Sequence, residues 1–261
     1  MKKFGSLQLI MIFLGGLVLL FIIAPLIGMF IHTTPNDLFS TINDNQVAGS
    51  IWLTLWVSFA GTFVFSIFSI PLAYLLARKK FLMKQLVLGI IDLPVVIPHA
   101  AAGIAILGFL SRDSVVGSAA ATVGLNFIGN PAGIAAAMAF VSLPFLINAA
   151  RDGFEAVPER LEKAALNLGA SPARVFFTIS LPLAWRSIIS GFIMMFARGM
   201  SEFGAVVIVA YYPMVTSVLI YERFGAFGLK YARPVSVIFI TVSLLFFIIL
   251  RLLSKQKNAG N

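Results

Sequence analysis

Long apolar runs separated by short polar segments organise this chain. A helix needs about 20 mostly apolar residues to cross a bilayer, and six runs approach or exceed that length: residues 7–31, 50–77, 86–110, 133–150, 188–210 and 235–253. Pro71 falls inside the second run, and Pro94 and Pro98 interrupt the third. The pattern predicts an all-α, polytopic integral membrane protein with about six transmembrane helices. The connecting segments are short and carry no long-period repeat, so one membrane domain over 1–261 accounts for the chain.

Composition sharpens this picture. Of the 261 residues, 60% are apolar and 11% charged, against about half and a quarter in ordinary soluble domains. Cysteine is absent, which excludes disulfides, thiolate metal sites and a cysteine nucleophile, and fits a bacterial or archaeal inner membrane. A net charge of +9 would suggest nucleic acid in a soluble protein. Here the basic residues cluster between apolar spans, where they orient a membrane protein, so no nucleic-acid partner is expected. Met1-Lys2-Lys3 precedes the first run, but the run is longer than a signal-peptide core and no small-x-small site follows it. A retained first helix is expected. With both termini cytoplasmic, the inside segments hold 14 Lys and Arg and the outside segments four (Arg112, Arg223, Lys230 and Arg233). That bias sets the expected orientation.

The loop between the fourth and fifth spans, about 155–182, contains a short helix with its own punctuation. Pro158 suits a first turn, Glu159 and Glu162 favour the positive helix end, and Gly169 provides a left-handed stop. Leu161, Ala164, Ala165 and Leu168 fall at i, i+3, i+4 and i+7 and form one apolar face. Ser171 and Pro172 read as the cap and first residue of a further helix. A helix of about 11 residues is too short to stand alone, so this face needs a partner. Packing on its own protein, lying at the lipid headgroups and docking into another protein remain open from the pattern. The two alanines make the face flat, without the bulky residues of an interfacial helix.

The spacing Ala164-Ala165-(x3)-Gly169-(x9)-Ile179-x-Leu181-Pro182 resembles the signature loop of permease subunits in binding-protein-dependent ABC importers. That signature places Glu before the two alanines; this chain has Lys163 there and Glu162 one residue earlier. The resemblance implies the type I ABC importer permease fold and a coupling helix seated on a cytoplasmic ATPase. Its contacts would come from Glu159, Arg160, Leu161, Glu162, Lys163, Ala164, Ala165, Leu168 and Gly169. It implies two ATPase subunits that bind ATP and Mg, a second permease subunit of the same kind, an extracellular binding protein and no cofactor in this chain. Asp92 to His99 and Arg198 to Val206 are similar to segments of molybdate/tungstate and sulfate permeases, while Ala210-Tyr211-Tyr212-Pro213 and Ile220-Tyr221-Glu222-Arg223 resemble most the archaeal and bacterial molybdate/tungstate branch. The implied cargo is therefore a tetrahedral oxyanion of the molybdate/tungstate kind, with sulfate or another solute as the alternative.

Charges inside the spans are the remaining candidates. Arg198 and Glu202 lie four apart in an apolar run, and a central charge costs about 2.5–3.5 kcal/mol unless it finds water or a partner. They either neutralise each other and pin the fifth span or border the solute path. Asp92, Pro94, Pro98, Arg198, Ser201 and Glu202 are the path or gate candidates. The two prolines either kink a packed helix or line a bend at a gate. His99 alone carries little weight. The runs Gly15-Gly16 and Gly103 to Gly108 read as close helix contacts. No P-loop, HExxH or GxSxG pattern occurs, so ATP hydrolysis is not expected in this chain. An intramembrane enzyme would have to use the isolated Asp92 and His99 of the third run together with Glu202 of the fifth. An ion-gradient transporter would call for more spans and an internal repeat.

Overall fold

A computed structural model describes residues 5–254, and among these no strand occurs. Helix α1 (Ser6–Ile31) is followed by α2 (Pro35–Ile42), α3 (Asn45–Arg78), α4 (Lys84–Val96) and α5 (His99–Leu110). Next come α6 (Val115–Thr122), α7 (Pro131–Glu155), α8 (Glu159–Asn167) and α9 (Pro172–Val175). A π-helical turn over Phe176–Ser180 leads into α10 (Leu181–Met200), then α11 (Gly204–Val209), α12 (Thr216–Phe227) and α13 (Leu229–Ser254). Lys2, Lys3, Lys255 and Lys257, used above for orientation, lie outside the described residues.

Five helices are long and apolar enough to cross a membrane by themselves, and α4 with α5 makes a sixth crossing if counted together. These two are bent by 111° at Ile97-Pro98. Pro98 has no N–H to continue the helix, and it holds Ile97 in extended conformation. Val87, Leu88 and Ile91 of α4 share a core with Ile147, Ala150 and Phe154 of α7. Ala102, Ile106 and Leu110 of α5 share another with Ile134, Ala137 and Met138. The bent pair thus advances along the length of α7 and covers the same depth.

Two of the expected spans are redrawn. The fourth grows to 131–155, capped by Pro131 at its first position. The fifth does not run to residue 210: its helix ends at Met200, and α11 packs separately against α5. Gly103 permits that packing, since a Cβ there would lie 2.9 Å from the Ala205 backbone. Gly15 and Gly16, by contrast, face nothing in the chain. Helix α1 touches the remainder chiefly through α13, and its apolar side chains are exposed from Leu7 to Ile27. Such a helix is stable only among lipid tails or against another apolar surface.

Candidate functional sites: a clamped loop helix and a charged cluster at a helix break

Helix α8 is built as its residues demand. Pro158 caps it, one position earlier than its expected place in the first turn. Gly169 ends it at φ +85°. Gly169 N–H donates to Leu166 O and Ala170 N–H to Ala165 O, the paired bonds of a Schellman stop. Ser171 then accepts from Arg174 N–H and opens α9.

The helix is asymmetric about its axis. Leu161 is 42% exposed and Leu168 89% exposed, and Ala164 is exposed beside them. Ala165 on the same face is half-buried, so among the described residues three of the four face positions, Leu161, Ala164 and Leu168, are left open, and packing on its own protein covers only a minor part of the stripe. Glu162 is turned the other way and is buried. Its carboxylate accepts from Arg78 Nη2 at 2.7 Å, from Arg78 Nε at 3.0 Å on each oxygen, and from Ser180 Oγ at 2.7 Å. Arg78 Nη2 also donates to Val157 O at 3.0 Å. Burial raises the Glu162 pKa, but the bonds from Arg78 and Ser180 outweigh it and hold the carboxyl below its ordinary value. Glu162 is among the residues for which the resemblance implies an ATPase contact; within this chain its side chain ties α8 to the end of α3 and to Ser180, just before α10. Arg160, Lys163 and Glu159 stay exposed, the last two paired at 2.8 Å.

The second site lies where α10 ends and α5 begins. Ser58 Oγ donates to Phe196 O at 2.9 Å, so this part of α10 lies beside the middle of α3. Arg198, Ser201 and Glu202 converge there with His99, the first residue of α5 after the Pro98 break. Glu202 is fully buried, and its Oε1 accepts from Ala205 N–H at 3.0 Å. Its Oε2 lies 3.0 Å from His99 Nδ1 and 3.1 Å from Arg198 Nη2, without an aligned hydrogen bond to either. Arg198 Nη2 approaches His99 Nε2 at 2.9 Å, and Nη1 donates to Ser201 Oγ at 3.3 Å. Arg198 and Glu202 do pair, but across the end of a helix, not along one face of it. His99, isolated in the sequence, is a full member of the cluster. Ser201 bonds to Arg198 rather than to His99, so no nucleophile–base pair forms.

Asp92 and Pro94 are elsewhere. Asp92 accepts from Asn148 Nδ2 of α7 at 2.7 Å, beside a cavity of about 350 Å³ lined by Val95, Val96, Pro144 and Phe145. Pro94 is buried within α4. Arg78, Tyr74 and Ser180 around Glu162, and Asn148 beside Asp92, carry no mark in the sequence that would have singled them out.

Comparison with known proteins agrees with this architecture. Residues 69–258 match the family model described as binding-protein-dependent transport system inner membrane component. The chain is 44% identical over 248 residues to the molybdate/tungstate transport system permease protein WtpB of Pyrococcus abyssi, covering 94% of this chain and 95% of that one. It is 40% identical over 261 residues to WtpB of Methanocaldococcus jannaschii, covering 99% and 100%. A probable sulfate transport system permease protein of Marchantia polymorpha is 30% identical over 219 residues, covering 82% of this chain and 76% of that one. Among solved structures, a bacterial ABC transporter involved in importing the acidic polysaccharide alginate superposes with a TM-score of 0.73 over 96% of both chains at 18% identity. That likeness shows a shared type I ABC importer permease fold. Matched over most of its length in sequence and in fold, the chain belongs to the family of binding-protein-dependent transport system inner membrane components.

Proposed function

We propose that this chain is the membrane-spanning subunit of an ATP-driven importer, and that it moves a tetrahedral oxyanion of the molybdate/tungstate kind by alternating access. The observation that carries the reading is α8: a flat apolar face left largely open among the described residues, on a helix clamped from behind by Glu162. Such a face fits a groove on a separate ATPase, where Leu161, Ala164 and Leu168 bury their apolar surface. Motion of α8 then reaches α3 through Arg78 and α10 through Ser180. Two ATPase subunits binding ATP and Mg, a second copy of this chain and an extracellular binding protein complete the assembly. It sits in a prokaryotic inner membrane with both termini cytoplasmic. The WtpB likeness supports molybdate or tungstate as cargo, and the likeness to a probable sulfate permease marks sulfate as the competitor to test.

The experiment is uptake of radiolabelled tungstate by vesicles holding this chain with its ATPase, with and without ATP and with sulfate in excess. ATP-dependent uptake that resists sulfate is expected. Uptake driven by an ion gradient without ATP would overturn the reading.

A further inference from the structure

The cluster of Arg198, His99 and Ser201 is built unlike a closed structural ion pair. We infer that it is a transient binding station for the tetrahedral dianion inside the membrane, with Glu202 as its built-in competitor. The inference rests on the transport reading above and adds a binding site to it.

Three observations carry it. First, the charges lie at membrane depth yet the Arg198 and His99 side chains are 24% and 37% exposed. Charged groups in a span face water, a cavity or another subunit and not lipid. Second, the guanidinium is not used up. Among the described residues Arg198 Nε has no hydrogen-bond partner and is not enclosed, and the contact of Nη1 with Ser201 is long. Guanidinium offers five donors in a fork that matches oxyanion geometry. Ser201 is exposed beside it; its hydroxyl donates to Arg198 O at 3.0 Å here and turns to an arriving anion by rotation about its C–O bond.

Third, Glu202 sits on the protein side of the group, fully buried and held by Ala205 N–H. It neutralises Arg198 by proximity while leaving the directional donors of the guanidinium pointing elsewhere. An anion arriving from the open side therefore meets donors but little net positive charge. That arrangement yields brief, weak binding, which is what a station on a path requires: a full positive charge would hold a dianion too tightly to pass it on. The position of His99 immediately after the Pro98 break links occupancy of the station to the bend between α4 and α5.

The absence of cysteine makes the test direct. Ser201→Cys is introduced and its conversion to a mixed disulfide by a small sulfonate-bearing methanethiosulfonate, with methanesulfinate as the leaving group, is followed by mass spectrometry of this chain, in vesicles containing the assembled transporter. Ser40→Cys, at the far end on α2, serves as the control. Tungstate at four times its dissociation constant slows this thiol modification at 201 about fivefold relative to chloride at equal ionic strength, by simple occupancy, and leaves position 40 unaffected. Protection is lost on a background of Arg198→Gln, and is weakened by His99→Gln, which keeps a polar group at the break. A thiol at 201 that never reacts, equal rates in tungstate and chloride, or protection that survives both substitutions overturns the proposal. Uptake by the unmodified protein in the same preparation separates the two readings. Without ATP-dependent uptake the transport assignment fails; with uptake but no tungstate-specific protection only the station fails.

Discussion

Replacing Glu162 by glutamine should loosen α8 from the membrane domain while leaving the spans folded. Glutamine keeps the shape and one acceptor oxygen but leaves the Arg78 guanidinium without its counter-charge. Removing one partner of a buried ion pair costs about 3–5 kcal/mol. Each side chain here retains 10% exposure and Arg78 keeps its bond to Val157 O, so the lower end, about 3 kcal/mol, is expected. Since about 1.4 kcal/mol is tenfold in an equilibrium, local detachment of α8 becomes about a hundredfold more frequent. The loss stays local because α8, apart from its chain connection to α7, packs mainly on α9 and the π-turn besides this clamp. Amide hydrogen exchange across 164–168 and tryptic cleavage after Arg160 and Lys163 both read that opening. ATP consumed per oxyanion transported should rise, because work delivered to a loose helix is not passed on. Exchange and cleavage rates within about twofold of the unmodified protein would mean that the pair contributes less than about 0.5 kcal/mol to holding α8, and would refute the reasoning.

Acidity offers a check on the same clamp. The folded Glu162 carboxyl lies below its ordinary value of 4.5, so its contribution is complete above that pH and is lost as pH falls through the lower folded value. Protection of α8 should be flat from about pH 5 to 8 and decline below that window. Gly169→Val places a β-branched residue at φ +85° at a cost of about 1–2 kcal/mol, and should lower ATP-dependent uptake without lowering the yield of folded protein. Asp44 caps α3 through Gln46 N–H and pairs with Arg223, which holds its carboxyl below 3.8. Asp44→Ala should cost about 1–2 kcal/mol at neutral pH, read as a lower Tm, and the difference should shrink as pH falls through the lowered folded value. Gly103→Val drives a side chain into the Ala205 backbone, 2.9 Å away, for about 1–3 kcal/mol of overpacking. Both Tm and uptake should fall, because α5 carries His99 away from Glu202.

The spans were readable because the bilayer imposes length and polarity residue by residue. A run such as 7–31 has no alternative in water. The loop helix was readable for a different reason. Its start and stop depend on backbone chemistry local to Pro158 and Gly169, and both act near their expected positions. The redrawn fifth span shows where this stops. Residues 188–210 are largely apolar except around Arg198, Ser201 and Glu202, and those polar residues do not by themselves say that the helix stops at 201–203. The break is made by α11 folding back onto α5, with Ala205 against Gly103, a contact between residues about a hundred positions apart.

Membrane residence, the approximate number of spans, the capped loop helix and its apolar stripe were determined by the sequence itself, since each follows from neighbours within a few residues; that the stripe stays largely open was decided by the tertiary structure. Tertiary structure alone decided which charges meet. Glu162 finds Arg78, 84 positions away, and Glu202 finds His99, 103 positions away, as well as the nearby Arg198. The physical reason is that a charge withdrawn from water must be compensated in space, and any oppositely charged or donor group can do it. Local patterning shows that a partner is required; only the packing of distant helices shows which residue supplies it.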